Sequence, residues 1–146
     1  MASCELLAVV VSAGPSEFWD LLSLSVGYPT PEKMARVRQG YREALGCGLI
    51  AAVLDGCLVG AIGYQDSAGG VEVKHLAVRP DKRHSGIARA LIQGVIATFP
   101  GKELFAETHD GAVGFYNRLG FHSEPLTRKL GTETRWKCRR QTNVEK

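Results

Sequence analysis

The sequence predicts a single mixed α/β domain (α+β) in which most strands pair with their neighbours along the chain. Three observations carry that reading. Apolar patterning runs in the order β-α-α-β-β-β-α-β-α-β-β. Asp55-Gly56 separates two apolar runs, and a type I′ hairpin needs positive φ at both of those positions. A chain of 146 residues is of common single-domain size and can bury a core without staples.

Each element follows in turn. Leu6–Val11 is apolar and rich in β-branched residues, which predicts a buried first strand. Gly14-Pro15 opens a helix whose apolar face is Phe18, Leu21, Leu22 and Val26. Thr30 is placed as the N-cap of a second helix, with Pro31 behind it. Met34, Val37, Tyr41 and Leu45 form its stripe, and Gly46 and Gly48 end it. Leu49–Leu54 and Leu58–Tyr64 then flank the Asp55-Gly56 turn, and Asp66–Gly70 returns the chain into Val71–Arg79. In that third strand the apolar positions Val71 and Val73 give way to Leu76 and Val78. Side chains alternate faces with a period of two, so the parity change predicts a β-bulge within Lys74–Ala77. A helix to about Phe99 follows, striped by Ile87, Leu91 and Val95, and stops at Pro100-Gly101. Leu104–Thr108 reads as a strand, Asp110–Leu119 as a short helix before Gly120, and Phe121 onward and Thr134–Arg139 as the last strands. Residues 1–141 form one domain and 142–146 a flexible tail.

Composition narrows the function. Hydrophobic residues make up 45% and charged residues 23%, which is ordinary for a globular domain. A net charge of +3 suits a phosphate-bearing ligand but is too low for a dedicated nucleic-acid binder. The basic cluster Lys137, Arg139 and Arg140 reads as a solvated strand end. Cys4, Cys47, Cys57 and Cys138 form no CxxC pair and no zinc spacing, so buried reduced thiols and no metal are expected. Glu5 and the missing basic start argue against a signal peptide, and no apolar run is long enough to span a membrane. A soluble, cytoplasmic protein is expected.

The stretch from Val78 to Ala88 carries the most chemistry. A strand ends, the chain turns through Pro80 and Gly86, and a helix starts. A helix start offers unpaired backbone N–H groups and the positive end of the dipole. Gly86 lets backbone approach a diphosphate, and Arg83 and Lys82 add charge at the rim. A glycine at a strand-to-helix junction is also compatible with a plain turn. The P-loop and dinucleotide readings fail, since no Gly-Lys-Ser/Thr triplet follows and there is only one Gly in the turn.

At this point the chain resembles the GNAT acetyltransferase superfamily. Its signature, Arg/Gln-x-x-Gly-x-Gly/Ala, reads here Arg83-His84-Ser85-Gly86-Ile87-Ala88, after Leu76-Ala77-Val78-Arg79-Pro80. A second signature, Ala-x-x-Phe-Tyr-x-x-x-Gly-Phe, reads Ala112-Val113-Gly114-Phe115-Tyr116-Asn117-Arg118-Leu119-Gly120-Phe121. The resemblance implies a mostly antiparallel mixed sheet with helices on both faces. It also implies a cleft for acetyl-CoA between two splayed parallel strands, here Val71–Arg79 and Leu104–Thr108. Backbone groups of Leu76, Ala77 and Val78 would pair with the pantetheine arm, and the amides of Arg83, His84, Ser85, Gly86, Ile87 and Ala88 would hold the pyrophosphate. The acceptor amine would attack the thioester directly.

Two side chains carry the chemistry in that reading. Tyr116 matches the family tyrosine near the thioester sulfur, whose O–H would protonate the departing thiolate; the bland alternative is a packing aromatic. Glu72 matches the place of a base that deprotonates the amine; the bland alternative is a solvated strand carboxylate. His75 is a second candidate base, and water a third. The family often has Gly where His84 stands, Gly where Ala88 stands, and Asn at His109, a contact to the pantetheine arm. The resemblance implies an N-acetyltransferase acting on a primary amine, with a small molecule favoured over a protein lysine or N-terminus. A non-catalytic acyl-CoA sensor of the same fold is the alternative. No nucleic-acid or membrane partner is expected, and a homodimer is left open.

Overall fold

A computed structural model describes residues 4–9, 16–126 and 135–141. Along the chain run β1 (Glu5–Ala8), α1 (Ser16–Leu22), α2 (Pro31–Glu43), β2 (Cys47–Leu54), β3 (Cys57–Ser67) and β4 (Gly70–Val78). They are followed by α3 (Ile87–Thr98), β5 (Leu104–His109), α4 (Asp110–Arg118), β6 (His122–Leu126) and β7 (Arg135–Arg140). The strands form one seven-stranded sheet in the order β1-β2-β3-β4-β5-β7-β6. Every neighbouring pair is antiparallel except β4 and β5.

Alternation along the strands divides the core in two. Ile50 and Ala52 face α3 and α4, together with Val71, Val73, Leu76 and Val78. Leu49 and Ala51 face the other way, with Ala61 and Ala77, onto Phe18, Trp19 and Leu22 of α1 and Tyr41 of α2. Both faces are therefore covered by helices.

Local signals account for most boundaries. Asp55 and Gly56 have φ of 51° and 78°, the two positive angles the hairpin requires. Thr30 accepts a hydrogen bond from the Lys33 amide and caps α2 as expected. In the β3–β4 ladder Gly63 pairs with His75 and Tyr64 with Val73, so Lys74 is the extra residue of the expected bulge. A second bulge, which the sequence reading did not include, lies at Val59: Ala52 pairs with Gly60 and Val53 with Leu58. Beside it, a Cβ on Gly60 would come within 2.8 Å of Ile87 Cγ2, so the bare glycine lets α3 settle on β3.

Five expectations are corrected. β1 is an exposed edge strand, with Leu6 37% and Leu7 50% accessible; it pairs with β2 on one side only. Val10, Val11 and the Gly14-Pro15 start lie outside the described residues, as do the flexible tail and Thr134. Of the expected α2 stripe only Tyr41 is buried; the helix stops at Glu43, leaving Leu45 beyond it and 90% exposed. Gly48 lies in β2 rather than at a helix end, pressed against the ring of Tyr64. Val26 follows a short 3₁₀ turn, Ser23–Ser25, and the buried member of α1 that the stripe omitted is Trp19. All four cysteines are free, but only Cys138 is buried and Cys57 is exposed.

Candidate active site

The parallel pair β4–β5 is joined over two rungs only, Val71 with Leu104 and Glu72 with Phe105. Beyond Glu72 the bulge at Lys74 bends β4, and β5 runs on paired with β7 alone. The C-terminal half of β4 thus keeps β3 on one side and an open gap on the other. Leu76, Ala77 and Val78 border this gap with buried side chains, leaving their backbone groups as the polar lining.

At the end of β4 the chain passes through a 3₁₀ turn, Pro80–Lys82, and enters α3. Gly86, the residue before the helix, has φ +86°, and His84 also adopts a positive φ, 64°. A Cβ on Gly86 would meet nothing within 4 Å, so the backbone angle, not crowding by the protein, calls for glycine there. Among the described residues no side chain caps α3. The Ser85 hydroxyl donates instead to the Lys82 carbonyl. The first intrahelical bond runs from the Ala90 amide to the Gly86 carbonyl, which leaves the preceding amides directed out of the helix. Arg83, His84, Ser85 and Gly86 are exposed, while Ile87 is buried and can contribute only backbone. Arg83 Nε donates to the Val78 carbonyl at 3.4 Å, so that carbonyl already has a partner. Such a turn suits an anion.

The candidate side chains lie on two faces of the sheet. Val71 and Val73 point toward α3 and α4, so Glu72 between them points toward α1 and α2. Its carboxylate is one-third exposed and lies 3.9 Å from the Lys74 ammonium. His75 lies on the same face: its Nδ1 is 2.6 Å from the Tyr41 hydroxyl. Burial, and then the Lys74 charge, pull its pKa down to about 4. Tyr41 is itself buried, lying over Gly63. Its phenol is pushed well above the usual range by burial first, then by Cys47, Glu72 and Tyr116.

Tyr116 comes from the opposite face. It is held in α4 edge-on between Phe115 and Phe121, with ring centroids 5.3 Å away in each case. Burial raises its pKa, and the nearby Cys138 thiol adds to the effect. The start of α4 is fixed by the chain itself: His109 Nδ1 accepts from the Gly111 amide at 3.1 Å, and Asp110 accepts from Trp136 Nε1 at 2.6 Å. His109 is thus an N-cap with its Nδ1 occupied. Glu72 and His75 lie on β4 beside the gap, His109 ends β5 on its other side, the turn Arg83–Ala88 follows β4, and Tyr116 packs in α4 on the opposite face.

The residue that sequence reasoning missed is Tyr41, taken for a core position in a helical stripe. Nothing local connects it to His75, 34 residues away. The basic cluster is partnered within the sheet: Lys137 lies over the Phe105 ring and Arg139 is 3.7 Å from Glu103. Among the described residues no cluster of three or more His, Cys, Asp or Glu could hold a metal, and no helix is long and apolar enough to cross a membrane.

A family model for the acetyltransferase (GNAT) domain matches residues 30–129. No curated protein matches the sequence significantly. Among solved structures, an aminoglycoside 6'-N-acetyltransferase complexed with coenzyme A superposes with a TM-score of 0.79 at 17% identity, over 97% of this chain and 99% of its own. Aminoglycoside 6'-acetyltransferase type Ii gives 0.76 at 20% identity, over 97% and 99%. A GNAT family acetyltransferase from Elizabethkingia anophelis with acetyl-CoA bound gives 0.69 at 20% identity, over 94% and 97%. At these identities the likeness is one of fold.

Proposed function

This chain belongs to the GNAT acetyltransferase family, and from that premise we infer that it transfers the acetyl group of acetyl-CoA to a primary amine of a small molecule by direct attack. The observation that carries the reading is the two-rung pairing of β4 and β5 beside an uncapped helix start. A strand-like pantetheine arm would complete the open edge along Leu76, Ala77 and Val78. The amides of Arg83, His84, Ser85, Gly86, Ile87 and Ala88 would meet the diphosphate, and His109 would flank the arm from β5. CoA-bound and acetyl-CoA-bound neighbours of the same fold support acetyl-CoA as the cosubstrate.

Glu72 would take a proton from the acceptor ammonium, whose ordinary pKa of about 10.4 keeps it charged at neutral pH. The freed nitrogen lone pair attacks the thioester carbonyl carbon, and collapse of the tetrahedral intermediate breaks the C–S bond. Tyr116, kept in its O–H form by burial, donates its proton to the departing sulfur and recovers one from solvent. The base and the acid would act from opposite faces of the sheet through the same gap. A cytoplasmic location, with four unpaired thiols, belongs to the same reading.

The second reading, a non-catalytic acyl-CoA-binding module, has one observation on its side: Tyr116 is packed between Phe115 and Phe121. Free-thiol release from acetyl-CoA across polyamines, amino acids, aminoglycosides and peptides separates the two. Turnover with a small amine is expected; turnover only with peptides would shift the acceptor to protein amines. Unchanged melting at millimolar acetyl-CoA would overturn cofactor binding itself.

A further inference from the structure

Tyr41 and His75 are joined across the α2–β4 contact by an arrangement that the sheet prepares on three counts. Gly63 on β3 carries no Cβ, which leaves room for the Tyr41 ring directly above the strand. The extra residue Lys74 reverses the parity of β4 and turns His75 to the α2 side. The hydroxyl then meets Nδ1 at 2.6 Å, with the rings 5.5 Å apart. Tyr41 also lies within electrostatic reach of both Glu72 and Tyr116. On β4 the His75 of this pair stands three residues beyond Glu72, on the same face of the sheet.

The proton on that hydrogen bond can be placed. Among the described residues the Tyr41 hydroxyl has no other acceptor. If His75 were the donor through Nδ1, a buried phenol proton would be left unsatisfied, which folding penalises. Tyr41 is therefore the donor, Nδ1 the acceptor, and the ring proton is on Nε2. His75 in this state is a neutral donor. It is unsuited to take a proton from an ammonium, which leaves Glu72 as the base on this face.

We propose that Tyr41 is a positioning residue that fixes His75 as a neutral Nε2–H donor to the thioester carbonyl oxygen as that oxygen gathers negative charge. The inference rests on the acetyltransferase reading. The carbonyl is the group that lies between the attacked amine side and the departing sulfur, hence between Glu72 and Tyr116. A neutral donor in a half-buried site needs no reorganisation when the charge appears. The charged and titratable groups around the pair are Lys74 beside His75, and Cys47 on β2, Glu72 on β4 and Tyr116 on α4 acting on Tyr41.

The test combines ¹⁵N NMR of the ring with kinetics on the full chain. In the wild type the Nε2 resonance should be that of a protonated nitrogen and Nδ1 that of an acceptor at pH 7. A proton on Nδ1, or titration of the ring near 6.5, overturns the proposal. H75Q keeps an amide N–H near Nε2, whereas H75A keeps none. H75A should lower kcat by roughly 10²-fold and H75Q by much less, with KM for acetyl-CoA little changed in both. Y41F should lower kcat roughly tenfold and make the tautomer mixed. Equal losses in H75Q and H75A, or a change in KM alone, sink the donor role. The acetyltransferase reading fails separately, by loss of the acetyl-CoA melting shift in the wild type.

Discussion

Glu72 and Phe105 form the last rung between β4 and β5. One residue further along, the ladder is gone and the sheet opens. The candidate base therefore stands at the fork, with its carboxylate on the α1–α2 side and the gap beginning beside its backbone.

That position gives the first expectation. Glu72→Gln removes the proton acceptor without changing size, so kcat/KM at neutral pH should fall by roughly 10²-fold or more. The deficit should shrink as pH rises toward the ammonium's own pKa of about 10.4, where the amine deprotonates without help. A pH–rate profile from 6 to 10 in both proteins checks it, and parallel profiles would remove Glu72 from the base role.

Tyr116→Phe keeps the ring packed between Phe115 and Phe121 and deletes only the hydroxyl. The fold and the affinity for CoA should be retained, while kcat drops by roughly 10²-fold. Steady-state kinetics with a CoA titration measure both. An unchanged kcat would leave Tyr116 as packing.

Gly86→Val introduces a side chain at φ +86°, where L-residues lose roughly 1–2 kcal/mol. A Cβ there meets no protein atom, so that strain is the main structural penalty. The acetyl-CoA melting shift should nevertheless collapse, because the β-branch would stand where the diphosphate approaches. A variant that melts lower but keeps the full ligand-induced shift would move the phosphate elsewhere.

Acid stability should report His75. Its folded pKa, about 4, lies below the ordinary 6.5. Between those values the unfolded chain takes up a proton that the folded chain refuses. The contribution is complete above pH 6.5 and is lost as pH falls to 4, by about 3 kcal/mol at most. Tyr41 and Tyr116 act at the other limb: both pKa values are raised, so their share holds below about pH 10 and fades above it. Denaturant midpoints from pH 4 to 11 should trace a dome, and His75→Gln should flatten its acid side.

Local signals were legible in the sequence where one residue type has one physical use. Asp55-Gly56, Thr30-Pro31 and the parity change around Lys74 each encode a backbone event, and all three appear where expected. What stayed hidden depends on partners distant in sequence. The Val59 bulge is masked because Val59 itself is apolar and fully buried. Leu6 and Leu7 match a buried strand, but exposure follows from β1 being an edge, which only the strand order reveals. Gly48 reads as a helix end and Gly63 as an ordinary strand position, yet each is a seat for a tyrosine ring. The strand-to-helix turn at Arg83–Ala88 could be read from the sequence, whereas the Tyr41–His75 bond could not, since α2 and the bulge meet only in the folded chain.

The two rungs at Val71–Leu104 and Glu72–Phe105 act as the spine of a book whose leaves are β1–β4 and β5, β7 and β6. Opposite that short binding, the leaves share no backbone bonds from Val73 onward, so a guest that threads between them supplies rungs the polypeptide does not. In the proposed reading occupancy and cohesion of the sheet become a single quantity, and the molecule the protein handles would also be the bookbinder that closes it.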